Sequence, residues 1–383
     1  MTKTVVVLGG AYAGIQVAHR LLKYTQPHVG DLKVILVSKN SHFYWNLASV
    51  RAIVPGVLKE DQYTSPIAAG FAKYSADHFE FIIGSAEAVD TDKKTVKVAV
   101  GASAKERVLD YDYLVVATGT RNLDGAGTAV PWKNNGTHEE ISALITETQE
   151  KVRAAQHIVV AGAGATGIEA VAELGFEYGN PKGPSAKKEI VLLSADKQVL
   201  AGDSVAGTVE SELKKLNVTV RNSARVASSS ILPNGKYEVV LQNGEKIVTD
   251  LYLPTMGMTP NTDFLPAALL TEKGFANVDE FCRVKGAENV WAAGDVALNG
   301  RGTFVQTDKH AAGVAKNIDA VFRGKKQTAV KPIPFDIVML AIGRSRGAGR
   351  VGSVKAFSLM VHQLKGKTLG IQRMAAWVDG SFF

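Results

Sequence analysis

The feature that most constrains the fold is an order of strand, glycine-rich turn, helix and strand that occurs twice in the chain. In the first copy, an apolar run at 5–8 leads into glycines at 9–14, a predicted helix at 15–23 and a second apolar run at 33–37. A glycine turn that joins a buried strand to a helix is typical of a right-handed βαβ unit with parallel strands. The start of the chain therefore predicts an α/β fold.

The second copy lies in the middle of the chain. A strand is predicted at 158–161, followed by glycines at 162–167, a helix at 168–178 and another strand at 189–193. A plan that returns in this way indicates two units of the same architecture.

Each copy is followed by short strand-like segments. Residues 79–116 predict an antiparallel meander, and the Asn-Gly pairs at 234–235 and 243–244 predict hairpin turns. We therefore expect two Rossmann-like dinucleotide-binding domains, each with an antiparallel meander, and a small C-terminal α/β domain. The expected boundaries are 1–125 with 257–328 for the first domain, 126–256 for the second and 329–383 for the third.

The glycines of the second copy carry the clearer chemistry. Residues 162–167 read GAGATG, a complete G-x-G-x-x-G pattern directly after a strand. Gly162 permits the tight turn, Gly164 lets a pyrophosphate approach the backbone, and Gly167 lets the helix pack closely on the strand. Because the helix N-terminus then faces the phosphate charge, the pattern predicts a dinucleotide site.

The glycines of the first copy read GGAYAG, with Ala11 where the pattern has its middle glycine. A methyl group there narrows the approach of a phosphate but does not forbid it. By itself this motif is also compatible with a glycine-rich turn that binds no ligand. Two further motifs, Ala-Thr-Gly at 117–119 and NVWAAGD at 289–295, favour a ligand.

Together these motifs resemble the FAD-binding signatures of the pyridine-nucleotide-dependent flavoprotein reductases, and the resemblance covers essentially the whole chain. It implies that the first domain binds FAD, with Asp295 accepting a hydrogen bond from a ribityl hydroxyl, and that the second binds NAD(P)H. The implied FAD site comprises Gly9, Gly10, Ala11, Gly14, Ser38, Arg51, Ala117, Thr118, Gly119, Gly294 and Asp295. The implied NAD(P)H site comprises Gly162, Gly164, Gly167, Glu169, Ser194 and Gly257.

Three longer segments carry a closer resemblance. SHFYWNLASVRA at 41–52, GIEAVAEL at 167–174 and FDIVMLAIGRSRGAGRVG at 335–352 are similar to the apoptosis-inducing-factor homologues of the ferroptosis-suppressor, AMID-like type. Those proteins are NAD(P)H:quinone oxidoreductases. The resemblance implies that a hydride passes from NAD(P)H to the flavin and that the electrons pass on to a quinone-type small molecule.

Three residues are candidates for roles beside the flavin: Glu169, Arg51 and His310. The resemblance implies that Glu169 reaches the junction of flavin and nicotinamide and pairs with a basic residue, for which Arg51 is the candidate. Glu169 could instead be a first-turn glutamate that favours the helix dipole. His310 matches a histidine of the ferroptosis-suppressor type and shares a predicted helix face with Gln306. These two could line a quinone or flavin edge, or could be surface residues.

The sequence departs from the usual dinucleotide pattern at the ribose positions. Ser38 and Ser194 stand near the strand ends where such folds often carry an acid that holds a ribose diol. Lys197 and Arg221 could accommodate a 2′-phosphate. The choice between NADH and NADPH therefore stays open.

The chain has a single cysteine, Cys282. A flavin disulfide reductase needs two closely spaced cysteines beside the flavin, so that mechanism is excluded. We expect Cys282 to be a small buried hydrophobic residue. No metal site is predicted.

The net charge of +7 is concentrated near the end of the chain, where residues 331–383 contain two acids. Such a segment can attract anionic lipids or an anionic partner, or can be a solvated face. Membrane contact would rest on its basic residues and on the aromatic residues Trp377, Phe382 and Phe383. Val378 stands where the ferroptosis-suppressor type carries a lysine. The eight basic residues are Lys331, Arg344, Arg346, Arg350, Lys355, Lys365, Lys367 and Arg373.

Membrane-directing patterns are missing from the sequence. No run approaches the about 20 apolar residues of a spanning helix, the N-terminus lacks signal-peptide architecture, and Thr2 excludes the myristoylation pattern. We expect a cytoplasmic protein, a monomer or homodimer, that can lie peripherally on a membrane surface and binds no nucleic acid.

The electron acceptor is the feature that the sequence determines least. A quinone is the first expectation, from the resemblance. The alternatives are an iron–sulfur or radical partner, a single metabolite, and a slow NAD(P)H-sensing role like that of apoptosis-inducing factor. Acceptor pockets are built from scattered loop positions, so the sequence leaves these open.

Overall fold

The structure is a computed structural model that describes residues 2–122, 130–179, 187–297 and 302–383. The expected domain boundary at 125–126 lies outside the described residues. The elements of the first range are β1 Lys3–Leu8, α1 Tyr12–Arg20, α2 Gln26–Val29, β2 Leu32–Ser38, β3 His42–Tyr44, α3 Ser49–Ala52, β4 Thr64–Pro66, α4 Ile67–Phe71, β5 Phe79–Asp90, β6 Thr95–Val100, β7 Lys105–Asp110, β8 Tyr113–Val116 and β9 Thr120–Arg121.

The remaining ranges supply the other twelve strands and six helices described. Up to residue 297 these are α5 His138–Ala154, β10 His157–Ala161, α6 Ala165–Tyr178, β11 Glu189–Leu193, α7 Ala206–Lys215, β12 Val218–Arg221, β13 Val226–Ile231, β14 Tyr237–Leu241, β15 Lys246–Thr249, β16 Leu251–Pro254, β17 Thr259–Pro260 and β18 Val290–Ala292. From residue 302 they are α8 Phe304–Phe322, β19 Ile337–Ile342, β20 Arg346–Val351, β21 Val354–Ala356, α9 Ser358–Val361 and α10 Met374–Val378. Two π-helical turns, Leu21–Thr25 and His362–Gly366, extend α1 and α9.

The first sheet has the strand order β18-β8-β1-β2-β5-β6-β7. Its first five strands run parallel, and β5 then pairs antiparallel with β6, which pairs with β7. In β1, Val5 and Val7 belong to one apolar cluster, and Val6 and Leu8 to another. Such burial on both faces explains why the strand is a continuous apolar run. The predicted strands and meander are confirmed.

The second sheet has the order β12-β11-β10-β16, and all its strands are parallel. Beside it, β13, β14 and β15 form an antiparallel sheet whose two turns hold the Asn-Gly pairs at 234–235 and 243–244. Both predicted hairpins are confirmed. The chain therefore has the α/β fold that the sequence predicts, built on parallel sheets.

The two glycine turns match in backbone detail. Gly9 and Gly162 have φ angles of +112° and +104°, a region that residues with a Cβ rarely adopt. A Cβ on Gly14 would lie 1.8 Å from the carbonyl oxygen of Gly9, and a Cβ on Gly167 would lie 1.9 Å from that of Gly162. Each helix therefore packs against its turn at a distance that only glycine permits.

A short ribbon joins the two sheets. Strands β9 and β17 pair antiparallel, with Arg121 opposite Thr259. Thr118 Oγ1 donates to the Asn261 carbonyl at 2.6 Å, and Asn261 Nδ2 donates to the Thr118 carbonyl at 2.8 Å. Because the chain enters and leaves the second sheet through adjacent strands, the residues between them form an inserted unit.

The end of the chain contacts both preceding units. Strands β19, β20 and β21 form an antiparallel sheet that packs against α6 of the inserted unit and carries α9. Helix α10 packs instead on α1 and α4 of the first unit. The C-terminal residues can therefore place side chains against both units.

Candidate dinucleotide and active site

A groove of about 450 Å³ lies at the carboxyl ends of the parallel strands of the first sheet. Open parallel sheets bind their ligands at this edge. Most of the residues predicted for FAD line the groove, namely Gly9, Gly10, Ala11, Ser38, Ala117, Thr118, Gly119, Gly294 and Asp295. Of the other two, Gly14 packs beneath the turn against Gly9, and Arg51 is buried beside Glu173.

The helices that follow the two glycine turns begin with free backbone N–H groups that no nearby side chain binds. Within the described residues, no side chain caps α1 or α6, and no acid lies in their first turns. By contrast, α5 is capped by Thr137 and carries Glu139 and Glu140 in its first turn, and α8 is capped by Thr303. The free N–H groups and positive dipole ends of α1 and α6 can therefore receive an anion.

The charged side chains of the first groove fit the same kind of ligand. Three cations line it, Lys39, Arg121 and Lys133, together with the acids Glu87, Asp263 and Asp295. Lys133 forms an ion pair with Asp295, and Arg121 forms one with Asp263. Cations and a helix N-terminus suit phosphates, and a carboxylate suits sugar hydroxyls. The residues present therefore fit FAD. Lys133 carried no signal in the sequence, because a lysine between a strand and a helix belongs to no motif.

A second groove of about 410 Å³ lies at the corresponding edge of the second sheet. Three residues predicted for NAD(P)H line it, Gly162, Gly164 and Ser194, together with Asp196 and Arg225. This groove also begins at an uncapped helix N-terminus, so it too fits a dinucleotide. Arg225 lies in the loop after β12 and carried no signal in the sequence.

The remaining predictions for the second groove have different outcomes. Gly167 packs beneath the turn, and the carbonyl of Gly257 accepts a hydrogen bond from Asn122. Arg221 pairs with Glu245 at 2.7 Å on the surface, and the use of Arg221 or Lys197 for a 2′-phosphate stays a prediction. Arg225 is the arginine that lines the groove.

The predicted pairing of Arg51 with Glu169 is wrong. Arg51 donates from Nε at 2.9 Å and from Nη2 at 2.6 Å to the same carboxylate oxygen of Glu173, one helical turn further along α6. Glu173 is fully buried and also accepts from Arg344 at 3.2 Å, which in turn reaches Glu177 at 3.0 Å. Arg51 therefore joins the first unit to the inserted unit.

Glu169 has a partner from the C-terminal segment. Its carboxylate pairs with Lys365 Nζ at 2.7 Å and accepts from the backbone N–H of Ala341 at 2.7 Å. Glu169 is the fifth residue of α6, beyond its first turn, so the interpretation of it as a first-turn glutamate is also wrong. Sequence spacing could not identify Lys365, because the two residues meet only when the C-terminal sheet packs on α6.

Helix α8 contains both Gln306 and His310, as predicted. Its residue in the lining of the first groove is Thr307. Burial lowers the pKa of His310, so the imidazole is neutral at pH 7. The proximity of Gln306 and His310 to an acceptor stays a prediction.

Two further expectations concern burial. Trp377 is not available for membrane contact, because it is fully buried and its Nε1 donates to the Tyr12 carbonyl at 3.2 Å. Cys282 is buried as predicted, and burial raises the pKa of its thiol to about 12. The thiol is therefore protonated at neutral pH.

Two grooves of this construction in one chain define a protein that binds two dinucleotides. Comparison with known proteins agrees: residues 3–316 match the family described as pyridine nucleotide-disulphide oxidoreductase, and the chain belongs to that family. Its members are FAD-binding, NAD(P)H-dependent oxidoreductases, which confirms FAD and NAD(P)H as the cofactors.

Individual relatives span nearly the whole chain. Oxidoreductase ptaL of Pestalotiopsis fici is 39% identical over 99% of both chains. Ferroptosis suppressor protein 1 of Homo sapiens is 27% identical over 95% of this chain and 93% of its own, which confirms the resemblance to that type. The crystal structure of the sulfide:quinone oxidoreductase of Aquifex aeolicus has a similar fold, with a TM-score of 0.79 at 19% identity over 99% of this chain and 92% of that one.

Proposed function

We propose that this protein transfers a hydride from NAD(P)H to FAD and passes the electrons on to a quinone-type small molecule. The observation that carries the proposal is the pair of uncapped helices, each after a glycine turn on a parallel sheet, joined by one ribbon. When bound, FAD takes up the hydride and supplies the electrons to the acceptor.

The proposed domains follow the two sheets. Residues 1–125 with 257–328 would hold FAD, residues 126–256 would hold NAD(P)H, and residues 329–383 would form a C-terminal domain that contacts both. The hydrogen-bonded ribbon of β9 and β17 supports this division, because it marks both crossings between the units.

Each groove has residues for the separate parts of its ligand. In the first, the N-terminus of α1 and Lys133 would stabilise the pyrophosphate, and Asp295 would accept a hydrogen bond from a ribityl hydroxyl. In the second, the N-terminus of α6 would face the pyrophosphate of NAD(P)H. Ser194, directly after β11, and Arg225, in the loop after β12, line the same groove.

Glu169 and Arg51 are proposed as positioning residues. Both make buried contacts between α6 and another part of the chain, Arg51 through Glu173 and Glu169 through Lys365. Their contacts would fix the inserted unit relative to the FAD unit, and a hydride transfer depends steeply on such alignment. His310 is retained as a candidate for the acceptor side.

The acceptor is proposed from relatives. The resemblance to ferroptosis suppressor protein 1 favours a quinone. A reductase of one particular metabolite is the second candidate, since the chain is more similar to oxidoreductase ptaL, at 39% identity, than to ferroptosis suppressor protein 1, at 27%, and the acceptor therefore need not be a quinone.

The acceptor proposal is tested by the second half-reaction. The flavin-loaded protein is reduced with one equivalent of NADPH or NADH without oxygen and then mixed with a short-chain ubiquinone analogue. We expect the flavin absorbance to return at a rate that rises with quinone concentration. Reoxidation that is no faster than in buffer alone would contradict a quinone acceptor. A parallel sample mixed with ferricyanide shows that the reduced flavin remains competent.

A further inference from the structure

Four large apolar side chains project from one short stretch of the C-terminal domain. Phe357, Leu359, Met360 and Leu364 are 84%, 69%, 42% and 49% exposed, and we call them the apolar patch. Phe357 directly precedes α9, Leu359 and Met360 lie in α9, and Leu364 lies about one turn after Met360 in the π-helical turn, so four exposed apolar side chains fall within eight residues. Single exposed apolar residues are ordinary, but a contiguous group indicates an interaction site.

The exposure of the apolar patch is not the result of a loosely attached helix. The other side of the same turn is fixed to the sheet, since Val361 is fully buried. A Cβ on Gly347 would lie 2.6 Å from Val361 Cγ1, which shows how closely the helix approaches β20. One side of the segment is therefore packed and the opposite side is left uncovered.

The charged residues of the segment that carries the apolar patch are all of one sign. Residues 337–378 contain seven basic residues and no acid. Three of the seven are bound to carboxylates, namely Arg344, Arg350 and Lys365. The other four are exposed and take part in no ion pair among the described residues, and these are Arg346, Lys355, Lys367 and Arg373.

Three of the exposed cations flank the apolar patch. Lys355 precedes Phe357 by two residues, and Lys367 follows Leu364 by three. The backbone of Arg346 lies beside the turn that ends the patch, because a Cβ on Gly366 would be 3.2 Å from the Arg346 carbonyl oxygen. Apolar side chains surrounded by cations match a surface that is apolar inside and anionic at its rim.

We propose that the apolar patch, with Arg346, Lys355 and Lys367, docks the protein on the surface of an anionic lipid bilayer. The apolar side chains enter the boundary between headgroups and acyl chains, and the cations contact lipid phosphates. A second copy of this chain fits less well, because its patch carries the same positive charge. In the part of the chain that the structure describes, no helix is long and apolar enough to cross a membrane.

The docking surface is joined to the buried contacts between the units. Directly after Leu364, Lys365 pairs with Glu169 at 2.7 Å. Arg51 then donates to the carbonyls of Gly366 and Lys367 at 2.7 and 3.0 Å. A docked patch therefore holds the whole molecule in a defined orientation. The inference concerns lipid binding and does not depend on which acceptor the enzyme uses.

The test uses the flavin-loaded full-length protein and sedimentation with vesicles. Vesicles of phosphatidylcholine mixed with phosphatidylserine should bind the protein, and vesicles of phosphatidylcholine alone should bind it weakly. Binding to the anionic vesicles should fall as salt is raised, because the attraction of the cations is screened. Failure of the protein to sediment with anionic vesicles at low salt would overturn the proposal.

Two variants separate the apolar and charged contributions. The double variant Phe357→Ser with Leu359→Ser should weaken partitioning by about tenfold, since two apolar insertions are lost. Its matched control is Ile231→Ser with Val108→Ser, which removes exposed apolar side chains elsewhere and should leave binding unchanged. Lys355→Gln with Lys367→Gln should weaken binding to anionic vesicles by about twentyfold, whereas Lys105→Gln with Lys273→Gln should change it much less.

The remaining outcomes are also decisive. Equal losses in the patch variants and their controls would overturn the proposal. So would a dimer of the parent protein in light scattering that the Phe357→Ser, Leu359→Ser variant abolishes, because a second copy would then cover the patch. Flavin content and reduction by NAD(P)H should be the same in all variants, so a failure of lipid binding is distinguishable from a failure of the proposed function.

Discussion

Among single residues, buried charged side chains have the largest effect on the stability of the folded protein. Glu173 is fully buried, and its charge is compensated by Arg51 from the first unit and Arg344 from the C-terminal segment. A buried carboxylate that loses a partner keeps its desolvation penalty without the matching attraction. Three parts of the chain therefore depend on one side chain.

Replacing Arg51 by methionine should destabilise the protein strongly. Breaking a buried pair by removing one partner costs about 3–5 kcal/mol, and the loss should appear in the free energy of unfolding in guanidinium chloride. The control is Lys215→Met at the exposed pair with Glu212, where a loss of less than about 1 kcal/mol is expected. Similar stabilities for the Arg51→Met variant and the parent would contradict the role given to this contact.

Asp295 is the residue on which the placement of FAD depends most. The Asp295→Ala variant should bind FAD more weakly by about 1–3 kcal/mol, because an acceptor for a buried hydroxyl is lost and Lys133 is left without its carboxylate. Flavin retained after equilibrium dialysis measures the effect, with Asp61→Ala as the control at an exposed position. If Asp295→Ala holds FAD as tightly as the parent, the proposed contact is wrong.

At the scale of elements, the two glycine turns are the units that create the grooves. Gly14 and Gly167 each bring a helix against the carbonyl oxygen of the glycine that begins its turn. Because the two copies share this geometry and are proposed to bind different ligands, a change in one should affect one ligand selectively.

A Gly167→Ala variant should impair NAD(P)H binding while FAD is retained. The added Cβ would lie 1.9 Å from the carbonyl oxygen of Gly162, so α6 must shift, at a cost of about 1–3 kcal/mol. The dissociation constant for the coenzyme, measured on the oxidised protein with a non-reducing analogue, should rise by about 5- to 150-fold, since about 1.4 kcal/mol corresponds to a factor of ten.

The control for this variant is Gly207→Ala in α7. A Cβ there meets nothing within 4 Å, and alanine has the higher helix propensity, so the protein should become more stable by about 0.5–1 kcal/mol. Loss of FAD from the Gly167→Ala variant, with coenzyme binding unchanged, would contradict the assignment of the second groove.

The sequence could predict those elements whose signals are local. The glycine turns, their flanking strands and the Asn-Gly hairpins are patterns within about twenty residues, and the structure confirms them. The partner of Glu169 could not be found in this way, because Lys365 reaches it only through the packing of the C-terminal sheet. The partner predicted for Arg51, Glu169, lies on the correct helix but one turn before the actual partner, Glu173. Lys133 and Arg225 line the grooves from loops, where no periodicity marks a residue.

For the whole molecule, the contact of α10 with the first unit makes stability depend on pH. His19 is fully buried, and its Nε2 lies 2.8 Å from the Val378 carbonyl, so this nitrogen carries the proton and donates. Nδ1 therefore accepts from the Tyr74 hydroxyl at 3.0 Å. Burial, reinforced by Lys73 and Lys23, lowers the pKa of His19 to about 4.

Acid should therefore destabilise the protein through His19. Below the ordinary histidine pKa of about 6.5, His19 is protonated in the unfolded chain but stays neutral in the folded protein down to about pH 4. The free energy of unfolding therefore decreases as the pH falls from about 6.5 to about 4. Between pH 7 and pH 5 the contribution is about 2 kcal/mol.

Denaturation of parent and variants at the two pH values isolates this contribution. The His19→Gln variant should be less stable than the parent at pH 7 but should lose about 2 kcal/mol less on acidification. His28→Gln, at an exposed position, should keep the full dependence. If the His19→Gln variant and the parent lose the same stability between pH 7 and pH 5, the assignment of a buried neutral imidazole is contradicted.

The central claim is that two grooves hold FAD and a pyridine nucleotide so that a hydride passes between them. Anaerobic stopped-flow mixing of the purified yellow protein with NADH, and separately with NADPH, tests this most directly. The flavin absorbance near its long-wavelength maximum should bleach at a rate that saturates with coenzyme concentration. The Gly167→Ala variant should reach this saturation only at higher coenzyme concentrations. A protein that purifies without flavin, or a bound flavin that neither coenzyme reduces, would contradict it.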